Sequence, residues 1–168
     1  VIGGDAAGKP RVTGRIRALF VHPGGQRIYA ATANGGVWYS SDGGESWRSI
    51  GGFALTDTPG IVRPAHRHAC GAILVELNQA DPDDESLDRV FVGTGELTPE
   101  QFANPGKRYG GIGILFAVGP ATSTLADPWV EEAPNLLGAG IYRFALSPDG
   151  NTVVAATSQG LVERPPGG

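Results

Sequence analysis

The sequence lacks features that several functional classes require. Among its 168 residues there is one cysteine, Cys70, and a single cysteine excludes an internal disulfide framework. The chain also contains no methionine. No apolar run approaches the roughly 18 residues of a membrane-spanning helix, and no charged-then-apolar signal segment opens the chain. Because the chain starts at Val1, we expect a processed product or an excised segment, in which a removed signal peptide leaves no trace.

The chain also lacks a large net charge of either sign. Thirteen basic and seventeen acidic residues give a net charge of -4, so no long-range field draws the chain onto nucleic acid or an anionic membrane.

Helical periodicity is nearly absent from the sequence. Only "TPEQFA" (98–103) predicts a single helical turn, with Thr98 as its cap and Pro99 at its first position.

Short apolar runs separated by glycine and proline predict β-strands joined by tight turns. The chain holds 27 glycines and 13 prolines. In the first part, "RIRALFVHP", "QRIYAATANGG", "VWYSSDGG" and "SWRSIGG" predict four antiparallel strands. The first run alternates on two phases, with Ile16 and Phe20 on one and Leu19 and Val21 on the other. Both faces of this strand are therefore expected to be buried.

A repeat underlies these runs. Residues 16–32 align without a gap on residues 141–157, and six positions are identical. The second copy then ends inside its next turn, with Pro166 at the position of Asp42. A degenerate middle copy has strands predicted at 71–79, 88–96, 111–119 and 128–132.

A repeat of four antiparallel strands spanning about 40 residues is typical of a β-propeller blade. The fold class predicted is therefore all-β, a single partial propeller over 1–168 whose last blade lacks its fourth strand. The units are a blade at 14–50, a loop at 51–69, an inserted blade at 70–132 and an incomplete blade at 138–168. Three blades do not close a ring, so the remaining blades, another chain or another copy must cover the outer faces.

The motif Ser-x-Asp-x-Gly-x-x-Trp occurs at Ser40, Asp42, Gly44 and Trp47. Side-chain oxygens, two glycines and an aromatic ring in this order suit a hydrogen-bonded turn. The stretch "RIRALFVHPGGQRIYAATANGGVWYSSDGGESW" resembles repeats of the sialidase-like Asp-box (bacterial neuraminidase repeat) propellers, and "VFVGTGE" with "YGGIGIL" resembles a second blade of such proteins. The resemblance implies that the box is a structural element on the outer rim, away from the central pocket where sugars bind. It also favours an extracellular or periplasmic location.

Two segments contain ligand types for metals. "HRHAC" alternates His66, His68 and Cys70, which offers three zinc ligands on one side of a strand. A proline-bounded loop without metal is the favoured interpretation. "DPDDESLD" (81–88) has oxygen ligands but lacks the spacing and central glycine of an EF-hand, so a solvated turn is predicted. We expect neither a metal nor a cofactor.

Glu96, which ends "VGTGE", is the one candidate catalytic residue. It precedes the largest insertion and could serve as a general acid or base, partnered by Glu100, Asp127 or Glu131. The alternative is a hydrogen bond within the long loop. The sialidases also carry an arginine triad and a Phe/Tyr-Arg-Ile-Pro motif, but the nearest segment here, "IVRP" (61–64), does not match.

These observations favour a non-catalytic binding or assembly scaffold that presents its loops to a protein or glycan partner. The expected contacts come from the two irregular loops: Phe53, His66, His68, Phe102 and Tyr109. The alternative is a glycoside hydrolase, sialidase-like or xyloglucanase-like, whose full active site needs blades absent from this chain. A third hypothesis is a structural piece that completes another subunit's ring.

Overall fold

The protein is all-β. The computed structural model describes residues 15–33, 35–51, 69–95, 110–125 and 128–164, and these ranges contain eleven strands in three antiparallel sheets. Their helical content is two 3-10 turns, Glu85–Leu87 and Pro134–Leu136. In the part of the chain described, no helix is long and apolar enough to cross a bilayer.

Each sheet is a meander in which consecutive strands pair. The first contains β1 (Ile16–Val21), β2 (Ile28–Thr32), β3 (Val37–Ser40) and β4 (Arg48–Ser49). The second contains β5 (Cys70–Glu76), β6 (Arg89–Thr94), β7 (Ile114–Val118) and β8 (Val130–Glu131). The third contains β9 (Ile141–Leu146), β10 (Val153–Thr157) and β11 (Gly160–Arg164). The predicted order of four, four and three strands is confirmed.

The three sheets share one irregularity of register. In each, the pairing of the first and second strands shifts by one residue near the start of the first strand. The partners on either side of the shift are Ile16–Thr32 and Ala18–Ala31, Cys70–Thr94 and Ala72–Gly93, and Ile141–Thr157 and Arg143–Ala156. This is a β-bulge, which bends the strand and redirects the side chain of the extra residue. The repeat therefore extends from sequence to backbone geometry.

A threonine at the end of each second strand fastens the turn that follows. Its hydroxyl donates to a carbonyl of the turn and accepts a backbone N–H. Thr94 Oγ1 lies 2.6 Å from Gly113 O and 2.9 Å from Ile112 N. Thr32 and Thr157 make the corresponding two contacts in their own turns. A hydroxyl can do both because it is a donor and an acceptor at once.

The second sheet lies between the other two. Strand β5 contacts β1 and β2 on one side and β9 on the other. Side chains on β6 alternate, so Val90 and Val92 join the core shared with the first sheet, and Phe91 joins the core shared with the third. At Gly71 and Gly93 an added Cβ would overlap Ile141. The third sheet therefore packs directly on the backbone of the second, as in successive blades of a β-propeller.

The outer faces of the stack are open. Leu19 is 55% exposed and Val21 is 52% exposed on the first sheet, and Leu161 is 77% exposed on the third. The prediction that both faces of the first strand are buried is wrong. One face of β1 packs on the second sheet through Ala18 and Phe20, but within the described residues no sheet covers the other. A blade at the end of a stack has a neighbour on one side only.

Thr94 provides a test of the threonine turns. The Thr94→Val substitution keeps the side-chain volume but leaves the buried carbonyl of Gly113 and the N–H of Ile112 without the hydroxyl. We expect the free energy of unfolding to fall by about 1–3 kcal/mol, measured as a lower urea midpoint at constant slope. Thr157→Val, in the solvent-accessible equivalent turn, should cost less than about 1 kcal/mol. Equal losses for the two variants would contradict this account.

Candidate functional site

The first strands of the three sheets lie side by side and enclose a cleft. Its volume is about 390 Å³, and we call it the axial cleft because first strands surround the axis of a propeller. Eight residues line it, from β1, β5 and β9 respectively: Arg17, Ala18 and Leu19; Ala72 and Ile73; Tyr142, Arg143 and Phe144.

The shared β-bulge helps to build this cleft. The extra residue of the bulge is Arg17 in the first sheet, Gly71 in the second and Tyr142 in the third. In a regular strand, side chains alternate between the two faces of the sheet. A bulge interrupts that alternation, so the side chain of the extra residue points in a different direction from those of its neighbours. Arg17 and Tyr142 are both exposed and line the cleft. Gly71 contributes no side chain at the equivalent position.

The axial cleft combines positive charge with apolar surface. Arg17 and Arg143 bring two guanidinium groups, which stay charged at any ordinary pH. Tyr142 adds a hydroxyl, and Ile73 and Phe144 add apolar surface. None of the eight lining residues is acidic. Such a lining binds an anionic group well, but it supplies no carboxyl pair for acid–base hydrolysis.

The Ser-x-Asp-x-Gly-x-x-Trp motif forms the turn between β3 and β4. Asp42 Oδ1 accepts hydrogen bonds from the Ser40 hydroxyl at 2.7 Å and from Ser46 N at 2.9 Å. Ser40 Oγ accepts from Gly44 N at 2.8 Å, and Trp47 Nε1 donates to Gly44 O at 3.0 Å. Gly43 and Gly44 have φ of 72° and 96°, a region that favours glycine. The sheet order places this turn at the edge opposite β1 and the axial cleft.

The hydrogen bonds of this turn between β3 and β4 stabilise the ionised form of the Asp42 carboxyl. The side chain and backbone of Ser46, followed by the side chain of Ser40, lower the pKa of the Asp42 carboxyl well below its ordinary value of 3.8. A carboxyl with a depressed folded-state pKa contributes stability above pH 3.8, and this contribution disappears as the pH falls through the folded-state value.

The Asp42→Asn substitution should therefore flatten the acid dependence of stability. The variant should be less stable than the parent at neutral pH, and the difference should shrink as the pH is lowered from about 5 to about 2. Thermal unfolding at a series of pH values measures it. Ser41→Ala, at the exposed neighbouring position, is the control and should run parallel to the parent. A constant difference between Asp42→Asn and the parent at all pH values would contradict the linkage.

A buried polar cluster connects the first sheet to the acidic loop of the second. Asp88 is fully buried, accepts a 2.6 Å hydrogen bond from the Tyr29 hydroxyl, and lies 3.3 Å from Arg27 Nε. Arg27 also donates to the carbonyls of Pro82 at 2.5 Å and Asp83 at 2.9 Å. The prediction of a solvated turn at 81–88 is therefore wrong at Asp88, although 81–83 are exposed.

Burial dominates the electrostatics of this cluster. It raises the pKa of Asp88, while the Tyr29 hydrogen bond and the Arg27 charge act in the opposite direction. Burial and the neighbouring carboxylate raise the pKa of Tyr29 as well. The sequence signal for this contact is a carboxyl residue directly before a buried strand, with arginine and tyrosine two residues apart in the preceding repeat.

Removing the Tyr29 hydroxyl tests the cluster. Tyr29→Phe leaves a buried carboxylate without its donor, so we expect the free energy of unfolding at neutral pH to fall by about 1–3 kcal/mol. In the Asp88→Asn background the same substitution should cost less, because the buried charge is absent. A double-mutant cycle by urea unfolding measures this coupling, and strictly additive losses would contradict it.

Most residues singled out from the sequence lie outside the described ranges. These are Phe53, His66, His68, Glu96, Glu100, Phe102, Tyr109 and Asp127. Cys70 is described and is fully buried, and burial raises the pKa of its thiol to about 12, so it stays protonated. Glu131 is half-buried on β8. Among the residues described, no three His, Cys, Asp or Glu side chains form a group suited to a metal ion.

Comparison with known proteins adds one structural likeness. No protein-family model matches the chain, and no curated protein matches it. The crystal structure of the GH74 enzyme of Niastella koreensis is similar, with a TM-score of 0.46 and 18% sequence identity over 86% of this chain. The chain spans 18% of the length of that enzyme.

The three stacked antiparallel sheets define the class of protein by themselves: they are consecutive blades of a β-propeller.

Proposed function

We propose that this chain is a non-catalytic binding and assembly scaffold, built from three consecutive blades of an Asp-box β-propeller, with a ligand held in the axial cleft. The observation that carries the proposal is the lining of that cleft. Two arginines, a tyrosine and apolar side chains surround about 390 Å³ with no acid among them. Pockets for small ligands generally combine a few placed polar groups with apolar walls.

The chemistry of the cleft favours a glycan that carries a carboxylate. The guanidinium groups of Arg17 and Arg143 would receive the carboxylate through charge-assisted hydrogen bonds. Tyr142, which is 40% exposed, offers a ring for the apolar face of a sugar and a hydroxyl for its polar edge. The loops at 51–69 and after Glu96 would extend the binding surface with Phe53, His66, His68, Phe102 and Tyr109.

The assembly part of the proposal is supported by the open faces of the outer sheets. Apolar side chains such as Val21 and Leu161 are exposed there, whereas the middle sheet is covered on both sides. Apolar surface of this kind marks sites of protein contact. Further blades of the same ring, in this chain's parent or in a partner, would bury it.

A second candidate function, glycoside hydrolysis, is favoured by a different cleft. A cavity of about 430 Å³ between the second and third sheets has Glu132, Glu163, Arg164 and Phe91 among its lining residues. Hydrolysis requires one carboxyl of a pair to remain protonated as the acid. The Glu132 carboxyl instead lies 3.1 Å from Arg164 Nε and is already engaged by that arginine. Glu96, with blades absent from this chain, would otherwise have to supply the acid. Turnover of a glycan panel that disappears in Glu96→Gln or Glu132→Gln would favour the enzyme.

Binding of a carboxylated oligosaccharide tests the scaffold. We expect an oligogalacturonide to bind in calorimetry, and a neutral cello-oligosaccharide of equal length to bind at least about tenfold more weakly, a difference of about 1.4 kcal/mol. Arg143→Gln should weaken oligogalacturonide binding by about tenfold, with Arg143→Lys between the two.

The matched control is Arg48→Gln. Arg48 is an exposed arginine on β4 that lies over the Tyr39 ring, so the variant has the same net charge without altering the cleft. If Arg143→Gln and Arg48→Gln weakened binding equally, the effect would come from overall charge and the axial cleft would not be the site.

A further inference from the structure

The axial cleft is bordered by strand edges as well as by side chains. Ala18 and Leu19 of β1 both line it, and so do Arg143 and Phe144 of β9. Side chains of consecutive strand residues point to opposite faces of a sheet, so a cleft at one face would be lined by every second residue only. Each first strand is the edge strand of its sheet, and the backbone groups along that edge therefore also border the cleft.

The hydrogen bonds of the first strands show which backbone groups face the axis. In an antiparallel pair, the N–H and C=O of one residue point to the same side, and this side alternates along the strand. His22 N and Ser147 N, just after β1 and β9, each donate at 2.9 Å to a carbonyl that precedes the second strand. Three residues earlier, the backbone groups of Leu19 and Phe144 therefore point away from the second strand and toward the axis.

The same position in the second sheet is Ile73. Each of the three residues is paired with the residue that stands two places before the threonine of its second strand: Leu19 with Ala30, Ile73 with Val92, and Phe144 with Ala155. All three line the axial cleft. In each sheet, the carbonyl before the bulge accepts a backbone hydrogen bond from the residue after that threonine, so the three pairing patterns agree. Within the described residues, no strand pairs with these edges.

An N–H and a C=O side by side match two neighbouring hydroxyls of a sugar ring. A hydroxyl is both a donor and an acceptor, so one hydroxyl accepts from the N–H while its neighbour donates to the C=O. An ionised carboxylate can only accept, and the guanidinium groups of Arg17 and Arg143 suit it better. The axial cleft thus has separate groups for the two polar parts of an acidic sugar.

We propose that the backbone N–H and C=O groups of Leu19, Ile73 and Phe144 bind pairs of neighbouring ring hydroxyls, so that the axial cleft selects a uronic acid whose hydroxyls are free. This inference deepens the ligand-binding part of the proposed function and rests on it. It adds a selectivity that two arginines alone do not provide, because arginines recognise the carboxylate and not the ring.

Blocking the ring hydroxyls of the ligand tests the proposal. An oligogalacturonide acetylated at its 2- and 3-hydroxyls keeps every carboxylate, and we expect it to bind at least about tenfold more weakly in calorimetry than the unmodified oligomer. An oligoglutamate of equal length, which has carboxylates and no hydroxyls, should bind as weakly. Equal affinities for all three would overturn this inference and leave the arginine site standing. No binding of the unmodified oligomer would refute the ligand assignment itself.

Amide hydrogen exchange, followed by NMR, locates the contact without any substitution. The amides of the three proposed residues should exchange at least about tenfold more slowly when the oligogalacturonide is bound. The controls are the next axis-facing residues of the same strands, which do not line the cleft: Val21, Val75 and Leu146. Their exchange should stay unchanged. Equal slowing of both sets, or no slowing while the ligand binds, would overturn the proposal.

A proline at position 19 removes one of the proposed donors. Because the N–H of Leu19 faces the axis, Leu19→Pro deletes it without deleting a bond to β2, which is the situation in which an edge strand tolerates proline. We expect Leu19→Pro to bind the oligogalacturonide about threefold or more weakly than Leu19→Ala, which shortens the side chain and keeps the N–H. Equal affinities in two folded variants would contradict the role of this donor. If Leu19→Pro does not fold, the exchange measurement on the parent chain decides.

Discussion

The structure depends on the burial of its middle sheet on both faces. Val90 and Val92 of β6 face the first sheet and Phe91 faces the third, so both faces of the middle sheet are buried only when three sheets stack. The close contact of Ile141 with Gly71 and Gly93 fixes the third sheet against bare backbone. Alone, the middle sheet would expose these apolar side chains to water, and stacking buries them. The same stacking aligns the first strands and thereby creates the axial cleft.

Polar groups have two separate roles in this architecture. At the turns they are paired within the chain: the threonines at the ends of the second strands, the Asp42 turn, and the cluster of Asp88 with Tyr29 and Arg27. These groups stabilise turns and the contact between neighbouring sheets, because a buried polar group without a partner is costly. In the axial cleft, Arg17 and Arg143 line a space between the first strands, which is where we propose that a ligand binds.

The assembly and the ligand binding that we propose would both follow from one geometry. Within the described residues, the stack has exposed apolar side chains on its face at each end. A closed ring would cover both and would surround the axial cleft with further first strands. The scaffold interpretation is consistent with this because it requires only a lining that binds. Hydrolysis requires two carboxyl groups, one as the acid and one as the base or nucleophile, whereas Arg164 already engages Glu132 in the cavity between the second and third sheets.

The amino-acid sequence alone determined the local structure. Alternation and turn residues located the strands, and the alignment of 16–32 with 141–157 predicted equivalent sheets. Tertiary structure decided which faces are covered: the outer face of β1 is exposed, and Asp88 is buried in an acidic loop. It also decided that Arg17, Tyr142 and Arg143 share one cleft. The physical reason is that periodicity reports the two faces of a strand, whereas burial and proximity depend on which distant strand packs against each face.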